Sequence, residues 1–310
     1  GGSTRILDIT TGGFVVTINT LQFRKGRATG TNDYGAGIRA SSDVTLYVKD
    51  SLFVGNHADN HGGAIGLITR GNDTGSVQVA RSTFYKNRGI DGGGIAVAFN
   101  STRSTITNST FVQNSASRNG GAINGSFGNV LATQSTFIDN VAPSGGDTSW
   151  VVSLKQSLIA YTPSVTPSNG VCANDSTLVN NVSTSASCLA SGVTPVTFGS
   201  LNLGFLAPWG GLVPTFSIGA GSSAIDAVSG ANCSTLDQRG ISRSGANCDA
   251  GAFEFVAGAP SLTASSAATI LQGRAITSSP SFTKTGLTEP VVFRVATEIG
   301  GALPSGVSFS

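Results

Sequence analysis

The sequence predicts an all-β chain wound as a solenoid of stacked parallel strands. Three observations lead there: a short unit that recurs in register, a scarcity of charge and of helix formers, and brief runs in which apolar and polar residues alternate. The 310 residues include 42 glycines and only 11% charged residues, against about 25% charged in ordinary soluble domains. Glutamate, a favoured helix residue, stands only at Glu254, Glu289 and Glu298. No apolar stripe recurs at i, i+3, i+4 and i+7 over successive turns, so long amphipathic helices are not expected.

The repeating unit reads F-x-x-N, a variable loop, then G-G-A-I. Its copies are Ser51-Leu52-Phe53-Val54-Gly55-Asn56 with Gly62-Gly63-Ala64-Ile65, and Ser82-Thr83-Phe84-Tyr85-Lys86-Asn87 with Gly92-Gly93-Gly94-Ile95. Two more are Ser109-Thr110-Phe111-Val112-Gln113-Asn114 with Gly120-Gly121-Ala122-Ile123, and Ser135-Thr136-Phe137-Ile138-Asp139-Asn140 with Gly145-Gly146. The phenylalanines are 31, 27 and 26 residues apart. A weaker copy precedes them at Phe23 with Gly35-Ala36-Gly37-Ile38, and a degenerate one follows at Ser157-Leu158-Ile159.

Alternating runs such as Val44-Thr45-Leu46-Tyr47-Val48, Val77-Gln78-Val79 and Thr105-Ile106-Thr107 open several units; period two means a strand with one buried face. Such a unit cannot bury its apolar side alone and must stack on its copies. Stacking at about 4.8 Å places Phe53, Phe84, Phe111 and Phe137 in one internal column and Asn56, Asn87, Asn114 and Asn140 in another. Aligned Asn amides can bond from coil to coil, although Asn also simply favours turns. The glycine pairs suit a bend with positive φ.

F-x-x-N paired with G-G-A-I resembles the polymorphic outer-membrane protein repeat, and residues 17–160 carry the likeness. The resemblance implies a right-handed parallel β-helix of the kind found in bacterial surface adhesins and autotransporter passenger domains. A second likeness covers roughly residues 200–256: Ser222-Ser223-Ala224-Ile225-Asp226, then Asp237-Gln238-Arg239-Gly240, Arg243, and Cys248-Asp249-Ala250-Gly251-Ala252-Phe253-Glu254. It is similar to the choice-of-anchor Q type ending of secreted bacterial proteins, apart from Ser244 where that pattern usually has Pro. This resemblance implies an extracellular architecture rather than an enzyme. In a charge-poor chain, Asp237, Arg239, Asp249 and Glu254 are expected to form a buried capping network that closes the last coils.

The domains expected are therefore a β-helix over 1–256, with repeats to about 160 and disulfide-containing closing coils over 161–256, followed by a linker and β-strand tail over 257–310. Two local cysteine pairs, Cys172 with Cys188 and Cys233 with Cys248, are the pairing that proximity favours among the three arrangements open to four cysteines. Disulfides imply an oxidising compartment. Ala257-Gly258-Ala259-Pro260 reads as the linker. Beyond it lie strand-like Ala268-Thr269-Ile270-Leu271 and Pro290-Val291-Val292-Phe293-Arg294-Val295. Leu303-Pro304-Ser305-Gly306-Val307-Ser308-Phe309 resembles a segment of bacterial immunoglobulin-like domains, which need about seven strands, so the tail is expected to be an incomplete one. It either belongs to a larger protein or docks elsewhere, back along its own helix or onto a neighbouring copy by strand addition, which would build a head-to-tail polymer. Methionine is absent and no export signal stands at Gly1, so a processed or trimmed chain is expected. Strand-like residues begin almost at once (Ile6 to Ile9, Phe14 to Ile18), with no evident cap at that end.

A net charge of +2 offers no basic field for nucleic acid, and no apolar run approaches a membrane span. The expected function is a secreted or cell-surface bacterial adhesin, stalk or filament subunit, non-catalytic, with no cofactor or metal. A polysaccharide lyase or hydrolase on the same scaffold is the alternative, since fold does not settle function. Such an enzyme needs clustered carboxylates, and Asp33, Asp43, Asp50, Asp59, Asp73, Asp91, Asp139 and Asp147 fall at unequal offsets from their Phe. A shared ion at His57, Asp59 and His61 is a further, weaker alternative.

Overall fold

The computed structural model describes residues 4–10, 13–30, 33–41, 43–67, 75–97, 103–125, 130–149, 153–165, 171–173, 177–243, 245–257, 261–264 and 282–285. It is an all-β parallel β-helix. Three sheets of seven parallel strands run along it. The Phe sheet extends from Gln22–Arg24 through Leu52–Val54, Thr83–Tyr85, Thr110–Val112, Thr136–Ile138 and Leu158–Ala160 to Val182–Ser183. The alternating sheet extends from Val15–Asn19 to Thr177–Val179, and the Gly-Gly sheet from Leu7–Ile9 to Cys172–Ala173. A four-stranded corner sheet joins Arg27–Ala28, His57–Ala58, Arg88–Asp91 and Ser115–Asn119.

The register stacks like on like. Phe23 lies opposite Phe53, Phe53 opposite Phe84, Phe84 opposite Phe111, and Phe111 opposite Phe137, where the column passes to Ile159. The alternating sheet turns Leu46, Val48, Val77, Val79 and Ile106 into the same core, while Tyr47 on the opposite face is exposed. Each turn into the next sheet needs left-handed backbone. The residue before Asn supplies it at Gly55, Lys86, Gln113 and Asp139, as Lys25 does before Gly26, and the first glycine of each pair supplies it at Gly62, Gly92, Gly120 and Gly145, as Gly35 does before Ala36. The second glycine answers a different demand: a Cβ on Gly93 would come within 2.3 Å of Gly121 O on the next coil.

The chain leaves the solenoid after Ser183, earlier than the closing coils expected over 161–256. Residues 186–255 turn back along the solenoid instead of coiling on. They carry two short antiparallel ribbons, Leu203–Ala207 with Thr215–Ile218 and Val228–Ser229 with Asn247–Cys248. The physical reason is the outer face of the Phe sheet, where Val112, Ile138, Leu158, Ala160 and Val182 would otherwise meet water. Leu201, Ile218, Ala224, Val228, Ala250 and Phe253 cover it and make a second core.

The contacts divide the chain into Gly1–Phe255 and Val256–Ser310. In the second unit Ser261–Ala264 pairs antiparallel with Phe282–Thr285. The strand-like runs at 268–271, 290–295 and 303–309 lie outside the described residues, as do most of the linker and Asp73.

Phe84 is fully buried between two rings. Phe84→Ala is expected to cost about 3–5 kcal/mol, read as a lower urea midpoint at unchanged slope.

Candidate functional site

Consecutive rings of the Phe column are parallel within 11° and their centroids are 4.6–5.2 Å apart. Beside it stands the Asn column, every member of which is inaccessible to solvent. Asn56 Nδ2 donates to Asn87 Oδ1 at 2.9 Å, Asn87 Nδ2 to Asn114 Oδ1 at 2.9 Å, and Asn114 Nδ2 to Asn140 Oδ1 at 2.8 Å. Each oxygen also accepts the backbone N–H of the Asn one coil earlier, and each Nδ2 also donates to the carbonyl of the Phe in the preceding coil, as Asn87 does to Phe53 O at 3.1 Å. The amides thus replace the backbone partners that the corner takes away.

The ladder ends on different chemistry. Asn140 Nδ2 donates to Asp147 Oδ1 at 2.7 Å, and Tyr161 Oη donates to Asn140 O at 2.7 Å. Burial, with the Asp147 carboxylate beside it, pushes the Tyr161 phenol far above the usual range and keeps it a donor. A second ladder escaped sequence reasoning, although its signal stands in every S-x-F. Ser51 N donates to Ser82 Oγ at 3.1 Å, Ser82 N to Ser109 Oγ at 3.2 Å, Ser109 N to Ser135 Oγ at 3.3 Å and Ser135 N to Ser157 Oγ at 3.2 Å. Asn181 ends that series by accepting from Ser157 N at 3.0 Å.

Asp237, Arg239, Asp249 and Glu254 come together in the flanking segment, not over the last coil. Asp237 Oδ2 accepts from Arg239 Nε at 2.8 Å and Glu254 N at 3.0 Å; Arg239 Nη2 donates to Glu254 O at 2.6 Å. Arg243, quoted in the motif but not placed in the network, is its hub. It donates to Glu254 Oε2 at 2.8 Å, to Gly251 O at 2.6 Å and to Asn108 Oδ1 on the solenoid at 3.2 Å. Burial raises Glu254 and lowers Arg243, each against the pull of its partner. Gln238 also went unnoticed: its Nε2 donates to Thr83 Oγ1 at 2.9 Å and its Oε1 accepts from Thr110 Oγ1 at 2.6 Å. Both disulfides form, Cys172–Cys188 at the end of the coils and Cys233–Cys248 in the flank.

The histidines do not converge. His57 Nδ1 lies 2.5 Å from Arg27 Nη1 and its Nε2 3.4 Å from Asp59, whereas His61 Nδ1 lies 2.9 Å from Asp91 Oδ2. Burial and then Arg27 lower His57 below the ordinary histidine range, Arg88 adding to this and Asp59 opposing it. Burial alone would raise Asp91, but hydrogen bonds from Arg118, His61 and Asn119 hold it far below the carboxylate range. Asp33 meets Arg5, Asp50 meets Arg81, and Asp139 meets Thr162, so these acids are tied to separate corners. Among the described residues no group of three His, Cys, Asp or Glu side chains is arranged to hold a metal ion. On the alternating sheet a groove of about 340 Å³ is lined by Tyr47, Lys49, Gln78, Ala80, Thr105 and Thr107 among others. Ring, hydroxyl and amide groups there can hold a ligand by contact and hydrogen bonding.

The Chlamydia polymorphic membrane protein repeat matches residues 108–126, the coil that holds Phe111, Asn114 and Gly120-Gly121-Ala122-Ile123. That one coil is similar to the repeat, and the neighbouring coils stack in register with it. No curated protein and no solved structure matches it significantly. In the matched stretch Phe111 fills the core, Asn114 bonds the coil before it and Gly120 turns the corner with positive φ.

Asn87→Ala removes the acceptor of Asn56 N, one of the two acceptors of Asn56 Nδ2 and the side-chain donor to Phe53 O. It is expected to cost roughly 3 kcal/mol or more, and Ser82→Ala about 1 kcal/mol, both from denaturant midpoints. Arg243→Gln strands Glu254 and is expected to cost about 3–5 kcal/mol near neutral pH. Because Glu254 already titrates above its ordinary value, that deficit should shrink as the pH falls and the carboxyl becomes neutral. Urea midpoints at pH 8 and pH 4 check the sign.

Proposed function

We propose that the protein is a bacterial cell-surface β-helix that adheres to a partner surface and does so without catalysis. The observation that carries the reading is the polymorphic membrane protein repeat at 108–126, lying in register with coils of the same design on either side. That family implies an outer-membrane or cell-surface setting. The long sheet faces offer repeated contacts rather than one enclosed cleft, and the acids noted above are engaged one by one with neighbouring side chains. The likeness of the Asp237 to Glu254 segment to secreted, surface-anchored proteins supports the same setting. Assembly into filaments, with residues 261–310 adding strands to the next copy, is the form in which such an adhesin would extend from a cell.

Bacteria displaying the full chain are expected to be retained on a target cell layer several-fold better than bacteria without it, counted after washing. Incubation with a panel of polysaccharides should release no reducing ends and no unsaturated products, and release of either would overturn the non-catalytic part. Electron microscopy of native material should show filaments, and discrete monomers by light scattering would remove that part.

A further inference from the structure

The outward face of the alternating sheet holds a tyrosine ring and a lysine side by side. Side chains two apart on one strand share a face, so Tyr47 and Lys49 both point away from the core that Leu46 and Val48 fill. Register extends the pair into two columns. Thr17, Tyr47, Gln78 and Thr105 lie over one another in the first, and Lys49, Ala80 and Thr107 in the second. These seven residues line the groove of about 340 Å³, a size at the lower end of sites that hold small ligands. Ala80, the shortest of them, leaves a hollow between Lys49 and Thr107. Gln78 is fixed in place: its Nε2 donates to Arg103 O at 3.0 Å and its Oε1 accepts from Thr105 Oγ1. A side chain already ordered loses little entropy when a ligand arrives. The charge of the face is one-sided. The seven strands of the sheet contain Lys49 and Lys155 and no aspartate or glutamate. Asp50, next in the chain after Lys49, is held by Arg81. Among the described residues Lys49 forms no ion pair.

We propose that this groove binds the terminal acidic sugar of a glycan, one pyranose ring bearing one carboxylate. Each part of such a ring has its match. Its C–H face packs on Tyr47, a ring that is 45% exposed and offers apolar area with a polar tip. Its carboxylate meets the Lys49 ammonium in a charge-assisted contact. Its hydroxyls exchange hydrogen bonds with Thr17, Thr107 and the second Nε2 hydrogen of Gln78. The groove holds a single cation. In the column of Lys49 the next one is Lys155, reached through Ala80, Thr107 and Thr133. That is about 19 Å at the strand spacing, so the groove suits one carboxylate and not a polyanionic chain. A peptide added as a strand would need a free sheet edge, whereas every strand from Thr45–Lys49 to Ser153–Lys155 is paired on both sides. The proposal rests on the adhesive reading, for which it names the class of ligand.

The test is isothermal titration of sialyllactose, lactose and tetragalacturonate into the full chain. Sialyllactose is expected to bind and to weaken as salt rises; lactose, which lacks only the acidic sugar, should give no heat. Tyr47→Ala and Lys49→Gln are each expected to weaken sialyllactose by roughly tenfold or more, the loss of one good contact. Lys155→Gln removes the same charge from the same face outside the groove and should bind as the parent does. Thermal melts by circular dichroism confirm that all three variants are folded. No heat from sialyllactose, equal binding of lactose, unchanged affinity in Tyr47→Ala or Lys49→Gln, or an equal loss in Lys155→Gln would overturn the site. Tighter binding of tetragalacturonate than of sialyllactose would overturn the terminal sugar in favour of a polyuronate chain. Display on bacteria separates the two readings. Sialyllactose bound in the groove of a chain that retains no bacteria on the cell layer would sink the adhesive reading and leave the site standing. Retention by a chain that binds no sialyllactose would do the reverse.

Discussion

The spacing of hydrogen-bonded strands governs this protein. Every coil must sit about 4.8 Å above the last, and parallel stacking puts equivalent residues directly over one another. A side chain survives in the core only if it can tolerate its own copy at that distance. Phenylalanine can, as rings lying nearly flat on one another at 4.6–5.2 Å, near the lower end of the separations aromatic pairs favour. Asparagine can, because one amide is both donor and acceptor and a column of amides satisfies itself. Serine does the same at the other corner of the Phe sheet. Charged residues cannot stack in this way inside, which accounts for a repeat region poor in charge.

A solenoid built this way must still deal with its ends and its flanks. At the last coil the Asn column stops on Asp147, which accepts from the Asn140 amide, and Tyr161, which donates to the Asn140 carbonyl. The Ser column stops on Asn181, and Cys172 ties the coil to Cys188 beyond it. On the flank, residues 186–255 convert a sheet with one buried face into a sheet with two. Apolar cover and polar ties act together there: Phe253 and Ala250 lie over the strands while Gln238 and Arg243 reach Thr83, Thr110 and Asn108. The carboxylates of that network are held by backbone N–H groups and arginines in a nearly dry setting.

What remains exposed is also the product of the repeat. The alternating sheet presents hydroxyls, an amide and a tyrosine ring. The corner beside the Phe sheet presents Arg27, His57 and Arg88 on successive coils. In both, a residue chosen once per coil becomes a line. The histidines show how far apart neighbours in sequence can end. His57 faces outward between arginines, while His61, four residues on, turns to Asp91 and joins a structural clasp.

Much of this was legible in the chain itself. The S-x-F-x-x-N and Gly-Gly spacing determined the coil, its parallel register and the Phe and Asn columns, because a period that recurs can bury its apolar side only against itself. Proximity determined the cysteine pairing in the same local way. The tertiary structure alone decided where residues 186–255 go, since covering an outer sheet face is a long-range gain that no local pattern records. It also decided that Gln238 and Arg243 are bound to residues more than a hundred positions away. Phe111 could be read as core from its spacing, but Thr110 could not be read as buried. Its burial depends on a partner strand that the solenoid itself does not contain.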